Sequence, residues 1–228
     1  MIPAKQTVVA LILALWVAIL ATTPAAKAQG LSLIRDAEIE RSIRTFSEPI
    51  FIAAGVSPRA VSIHLVNNEA INAFVAGGQQ MFINTGLLMK SEDLTELVGV
   101  IAHETGHIAG GHLARGAQEI ERAQRTALLT TLLGVAAGIA AGSSDVGAAV
   151  VAGGSQVAGR QFLSFSRTME NSADQAALTY LDRANYSSEG LARFLERLAD
   201  EELVPVEFQS EYVRTHPLTI DRVNAVRA

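Results

Sequence analysis

His103-Glu104-Thr105-Gly106-His107 is the stretch on which the reading of this chain turns. It lies in a helical pattern, with Leu94, Leu97, Val98, Ile101 and Ile108 recurring at helical spacing. Ser91 is placed to cap that helix, with Glu92 and Asp93 in a first turn whose dipole favours acids. A separation of four residues sets both histidines on one face, one turn apart, so both imidazoles reach a single ion. Glu104 is rotated about 100° from His103. It stands beside the ion, placed to take a proton from a metal-bound water.

A catalytic zinc takes three protein ligands and keeps one position open. The chain has no cysteine, so any metal site uses His, Asp and Glu. Three sources compete for the third ligand. His112 sits close by, but Leu113 stands where an HExxHxxGxxH pattern puts its third histidine. On an unbroken helix His112 faces about 160° away from the pair, as a packing group or a support for a ligand. Glu170 and Asp174 form an ExxxD on a helical face; there Glu170 would ligate and Asp174 would accept the free ring N–H of a zinc-bound histidine. His216, in Thr215-His216-Pro217, reads as a site-facing residue outside the resting ligand set. His64, followed by Leu65 and Val66, reads as structural.

Working outward, residues 61–66 alternate and are β-branched, as in a strand, and 71–76 and 80–84 read as two more, joined through Gly77-Gly78. They suggest a small antiparallel sheet. Residues 32–54 have helical spacing, with Pro49 as a kink or an end. Further helices are expected near 166–185 and 187–202, and Pro217 suits the first turn of a last short one. The expected fold is a helix-rich, zincin-like α+β domain with an apolar helical hairpin.

That hairpin is expected over residues 126–159. Residues 126–144 hold no charge, nearly the length that spans a bilayer. Gly134, Gly138 and Gly142 form a stripe that lets two helices approach closely. A single crossing would leave Glu170 across the membrane from His103 and His107. If the three share an ion, the segment must return. It packs on itself, covers the cleft or dips into a membrane surface.

Residues 1–28 read as a secretory signal peptide: Lys5, an apolar run over 8–21, Pro24, then Ala26-Lys27-Ala28 with cleavage before Gln29. Removing it takes away Lys5 and Lys27 and no acid, so the formal charge moves from −5 to −7. Export without disulfides suits a bacterial periplasm. Residues 29–228 are then the metal-binding domain. With 49% apolar and 18% charged residues the chain is built to fold. It carries no long basic run, which argues against a nucleic-acid partner.

Taken together, the motifs resemble peptidase family M48, the gluzincins that include CAAX prenyl and HtpX-type proteases. The match runs over residues 39–227: Asn72-Ala73-Phe74, Gly78, Asn84-Thr85-Gly86-Leu87-Leu88, His103 to His107, Glu170 to Asp174, His216-Pro217 and Arg222. A signal peptide in place of flanking membrane helices is similar to the periplasmic, BepA-like branch. The resemblance implies one Zn2+ held by His103, His107 and Glu170, with His216 and Arg222 approaching the site. It implies an endopeptidase of unfolded or misassembled envelope proteins, in which Glu104 activates a zinc-bound water. His216 would serve as oxyanion donor, held by Arg222, or as a latch on the metal. The strand 80–84 could pair with an extended substrate. A chaperone or assembly factor with a chiefly structural zinc is the rival reading, and an exopeptidase a second enzyme reading. Larger members append helical repeats after the His-Pro segment. The chain stops at Ala228, so that module is absent from it or the sequence is a piece of a longer protein.

Overall fold

A computed structural model describes residues 31–228; the signal-peptide reading of 1–28 lies outside the described residues. Strands β1 (Leu33–Ile34), β2 (Ser62–Val66), β3 (Ala73–Ala76) and β4 (Gln80–Asn84) form one sheet in the order β1-β2-β4-β3. The β3–β4 hairpin turns at Gly77 and Gly78, both at positive φ. β2 and β4 run parallel, so the sheet is mixed where the three strands suggested an antiparallel one. Alternation specifies the face each side chain takes, not which strand lies alongside. Ile63, Leu65, Met81 and Ile83 are buried in one core with Ile50 and Phe51. His64 and Phe82 lie between them in the strands, and His64, Phe82 and Phe74 stack in sequence.

Helix α1 (Ala37–Ala53) is capped by Asp36, whose carboxylate accepts from the backbone of Glu38 and Ile39. Its expected first residues, Leu33 and Ile34, instead pair with β2, where they satisfy a sheet edge. Pro49 does not end the helix: Ile50 and Phe51, just beyond it, are fully buried and hold the chain on its helical path.

The short α2 (Thr85–Lys90) leads to the central helix α3 (Leu94–Ala109). Asp93, not Ser91, caps α3, accepting from Thr95 N at 2.8 Å and Glu96 N at 3.1 Å. Ser91 closes α2, donating its hydroxyl to Leu87 O. Every residue of α3 from Glu96 to His107 is buried. At Gly110-Gly111 the chain breaks, with Gly111 at φ +62°. It then enters the hairpin of α4 (His112–Ala141) and α5 (Ser144–Arg183), which turns at Gly142-Ser143. The expected hairpin is there. Its return arm and the expected Glu170 helix are one continuous helix of 40 residues.

Amphipathic α6 (Glu189–Ala199) packs on α3. Two 3₁₀ turns then lead to α7 (Glu211–Thr215) and α8 (Ile220–Arg227). The last helix starts three residues after Pro217 because the Thr219 hydroxyl caps it, accepting from Arg222 N.

Candidate metal centre

Three elements converge beneath the sheet. Helix α3 presents His103, Glu104 and His107; α5 presents Glu170 and Asp174; the segment after α7 presents His216. The backbones of α3 and α5 come close because position 106 is glycine: a Cβ there would lie 2.8 Å from the Ala173 carbonyl. All six side chains are buried.

The ring nitrogens Nε2 of His103 and His107 are 3.0 Å apart. Glu170 Oε2 lies 3.3 Å from His103 Nε2, and Glu170 Oε1 3.5 Å from His107 Nε2. His216 Nδ1 is 3.3 Å from Glu170 Oε2 and 3.4 Å from His103 Nε2. Four potential ligand atoms thus lie within 4.8 Å of one another. A tetrahedral zinc with bonds near 2 Å separates its ligand atoms by about 3.3 Å. The donor set and spacing therefore fit a zinc ion, and two or three imidazoles with one carboxylate suit zinc by ligand type.

The electrostatics agree with the geometry. Burial opposes ionisation of Glu170, but His216 and hydrogen bonds from His103, His107 and His216 outweigh it and hold Glu170 well below the usual carboxylate range. Burial opposes a charged His103, yet Asp174 and Glu170 together push its pKa up to about 10. The point between the two histidines and Glu170 thus favours positive charge, whether a proton or a metal cation. His107 goes the other way: burial drives it down to about 3, so it stays a neutral imidazole, the ligating form.

Supporting contacts surround this cluster. Asp174 Oδ1 lies 2.8 Å from His103 Nδ1, placed to accept its ring N–H. Arg222, 1% exposed, donates to Asp174 from Nε at 2.6 Å and Nη2 at 2.9 Å. Its Nη1 lies 3.1 Å from Glu170 Oε2 and donates to the Pro217 carbonyl. The guanidinium thus lies behind the cluster and does not line the cleft, whose walls include Phe74, Val75, Glu104, Phe162 and His216.

The structure brings Glu170 and His216 to the histidine pair, and places His112 behind it. The break at Gly111 re-aims His112 from its helical direction, so its Nδ1 sits 3.0 Å from His107 Nδ1. His216 was expected outside the ligand cluster and lies within it, because Tyr212 stacks on its ring at 4.7 Å and its backbone N–H bonds to Tyr212 O. Tyr212 itself, fully buried, was not singled out from sequence; a lone tyrosine in a long connection carries no pattern. His64 is stacked on Phe82, away from the metal cluster. The strand 80–84 cannot add a substrate strand: β4 is paired on both sides, and of the two edge strands, β1 and β3, it is β3 that lies at the cleft.

Glu104 is held more loosely, with His216 Nε2 3.4 Å from its Oε1. Both its carboxylate oxygens are buried without a hydrogen-bond partner. Burial raises its pKa, against the pull of His216 and His103. A buried carboxylate left without a hydrogen-bond donor beside a cation site is a costly arrangement for a purely structural one.

Comparison with known proteins agrees with this geometry. The beta-barrel assembly-enhancing protease of Yersinia pestis is 31% identical over 197 residues, 86% of this chain and 40% of that protein. Its Escherichia coli K12 counterpart is 28% identical over 199 residues, 86% of this chain and 39% of that protein. The metalloprotease LoiP of Escherichia coli K12 is 31% identical over 178 residues, 75% of this chain and 64% of that protein. The chain thus spans about two fifths of the length of the assembly-enhancing proteases. The family model for peptidase family M48 matches residues 34–228, from the first strand to the last residue and through every element of the metal cluster, and the chain belongs to that family, whose metal is zinc.

Proposed function

We propose that this chain is a zinc-dependent endopeptidase of the periplasm, acting on unfolded or misassembled envelope proteins. The observation that carries the reading is Glu104: buried, without a hydrogen-bond donor, and set beside His103, His107 and Glu170 at the wall of a cleft. His103, His107 and Glu170 would hold the zinc, which would supply Lewis-acid polarisation of the scissile carbonyl and an acidified water. Glu104 takes the proton of the attacking water and returns it to the leaving amine. Asp174 fixes the tautomer of His103, and Arg222 fixes Asp174. The open edge of β3, with Phe74 and Val75 on the cleft wall, offers main-chain pairing to an extended substrate. Such pairing reads backbone more than side chains, which suits unfolded protein.

His216 reads as a latch. Its two ring nitrogens lie near Glu170 and Glu104, at 3.3 and 3.4 Å, in the space a substrate carbonyl needs. It has to swing out before substrate enters, and once out it can donate to the developing oxyanion.

The signal-peptide reading of residues 1–28 supports export, and the names of the beta-barrel assembly-enhancing relatives support a role with misassembled proteins. Membrane-surface contact by the 126–159 hairpin belongs to the same picture. Purified Glu104→Gln is the test. It should keep zinc and lose cleavage of unfolded casein by several orders of magnitude. Cleavage at the wild-type rate would overturn the proposal, and envelope function surviving unchanged in this variant would favour a chaperone with a structural zinc.

A further inference from the structure

The hairpin of α4 and α5 carries an unusual surface. Leu128, Leu129, Leu132, Leu133, Val135 and Ile139 are all exposed, Leu133 by 62% and Ile139 by 78%. Val146, Val150 and Val157 continue the apolar surface on the other arm. Among the described residues, α4 is the one helix long and apolar enough to cross a membrane. An exposed apolar surface alone does not say what covers it. Three further features do.

The first is what has happened to the polar groups. Thr126, Thr130, Thr131 and Ser155 each donate their hydroxyl to a carbonyl of their own helix, three or four residues back. The remaining hydroxyls of the segment, Ser143 and Ser144, sit with Asp145 at the turn. The body of the hairpin thus presents almost no polar group that needs water; Gln156 is the exception.

The second is the placement of charge. Below Asp145 at the turn, the first charges on the two arms are Arg125 and Arg160. Each is sixteen residues from the tip, counting from Ala141 on one arm and Ser144 on the other. They lie at one level, since Arg125 and Thr126 share a recess with Ala158 and Gln161. Sixteen residues of helix are about 24 Å, against a hydrocarbon core of about 30 Å. Below that level, residues 112–125 and 160–167 hold five arginines and two glutamates, a net basic collar suited to anionic headgroups.

The third feature disfavours a second copy of the chain as the cover. The small-residue seam that would let another helix dock closely is consumed inside the hairpin. A Cβ on Gly134 would lie 2.7 Å from the Gly147 carbonyl, and Gly154 faces Thr130.

From these we infer that the hairpin is a re-entrant membrane element: residues 126–159 enter a lipid bilayer from one side, with Arg125 and Arg160 at the headgroups and the Ser143-Ser144-Asp145 turn near the far interface. This builds on the hairpin's contact with a membrane and does not depend on peptidase activity. It sets the cleft against the lipid. Phe162, on the cleft wall, is two residues beyond Arg160, and Glu170 is ten beyond it, about 15 Å along α5. Substrates would then be taken at the membrane surface.

The lack of cysteine in the chain allows one labelled site at a time. Leu128→Cys, Val135→Cys and Ile139→Cys, each carrying a fluorophore, are mixed with phosphatidylglycerol–phosphatidylethanolamine vesicles. Circular dichroism melts check that each variant is folded. At 1.5 Å per residue from Arg125, the three labels sit at depths of about 5, 15 and 21 Å. Position 128 should be quenched best by shallow nitroxide lipids and position 135 best by deep ones. Both should lose access to aqueous iodide. Binding followed by the 135 label should weaken about tenfold on anionic vesicles in Arg125→Gln/Arg160→Gln. Equal shallow depth for all three labels would overturn insertion in favour of a surface-lying hairpin. Labels that stay open to iodide would overturn it outright. Iodide protection that rises with protein concentration in the absence of lipid would show a second copy instead.

Discussion

Replacing Arg222 with methionine tests whether the carboxylates behind the metal cluster depend on it. Methionine fills much of the volume and removes the charge. The guanidinium touches Asp174 at 2.6 and 2.9 Å and Glu170 at 3.1 Å, and all three side chains are buried. Its removal leaves two buried acids with His103 beside Asp174 and with His216 and His103 beside Glu170 as the remaining sources of positive charge. Losing one partner of a buried ion pair costs about 3–5 kcal/mol. For a chain of this size, each kcal/mol moves Tm by about 2–4 °C, so metal-free Arg222→Met should melt roughly 6–20 °C below wild type. The Pro217 carbonyl also loses its donor, which loosens the segment carrying His216. Zinc affinity should fall about 10–100-fold, the usual cost of removing a group that orients a ligand. Calorimetry of the metal-free protein and competition with a chelator measure the two effects. The double variant Arg222→Met/Asp174→Leu should recover part of the lost stability, since it removes one stranded acid as well. A Tm within about 3 °C of wild type, with unchanged zinc affinity, would refute this account of the pair.

Other consequences can be measured on the same preparations. Glu170→Ala should purify with little zinc, and full occupancy would remove Glu170 from the ligand set. His216→Ala should retain zinc and cleave casein faster than wild type; a loss of two or more orders of magnitude would mean that its oxyanion role outweighs the latch. His112→Ala leaves His107 Nδ1 without its neighbour and should weaken zinc binding about tenfold or more, whereas His112→Phe with unchanged affinity would reduce that histidine to packing.

Spacing on α3 made the centre of the site legible, because its two histidines and its glutamate belong to one helix and local geometry relates them. Glu170 and Asp174 were legible for the same reason, four residues apart on a second helix. What joins the two helices was not, beyond the requirement that the chain return. His103 and His216 are 113 residues apart, and nothing in Thr-His-Pro encodes the stacked ring of Tyr212 that sets the imidazole against the cluster. His112 was mis-aimed because its direction followed from an unbroken helix, while Gly111 at positive φ re-aims it. The strand pattern marked 80–84 as a strand and said nothing of its parallel pairing with β2. That pairing decides which strand is free: it buries β4 and leaves β3 as the edge at the cleft.

The continuity of α5 gives the centre and the hairpin a shared mechanical basis. From sequence, the run 126–159 and the ExxxD segment read as separate elements, since glycine and serine around residues 153–155 blur the helical pattern. In the fold a single helix of 40 residues runs from the hairpin turn through Phe162 at the cleft wall to Glu170, Asp174 and the core residue Leu181. Its lower part is held by the close approach at Gly106 and by the contacts of Asp174 with His103 and Arg222. Among the described residues, its upper part is held chiefly by α4. A force on the tip therefore meets its first rigid anchor at Glu170. A tilt of the hairpin would therefore alter the cleft wall at Phe162 and Ser166 before it disturbed His103, His107 or Glu170.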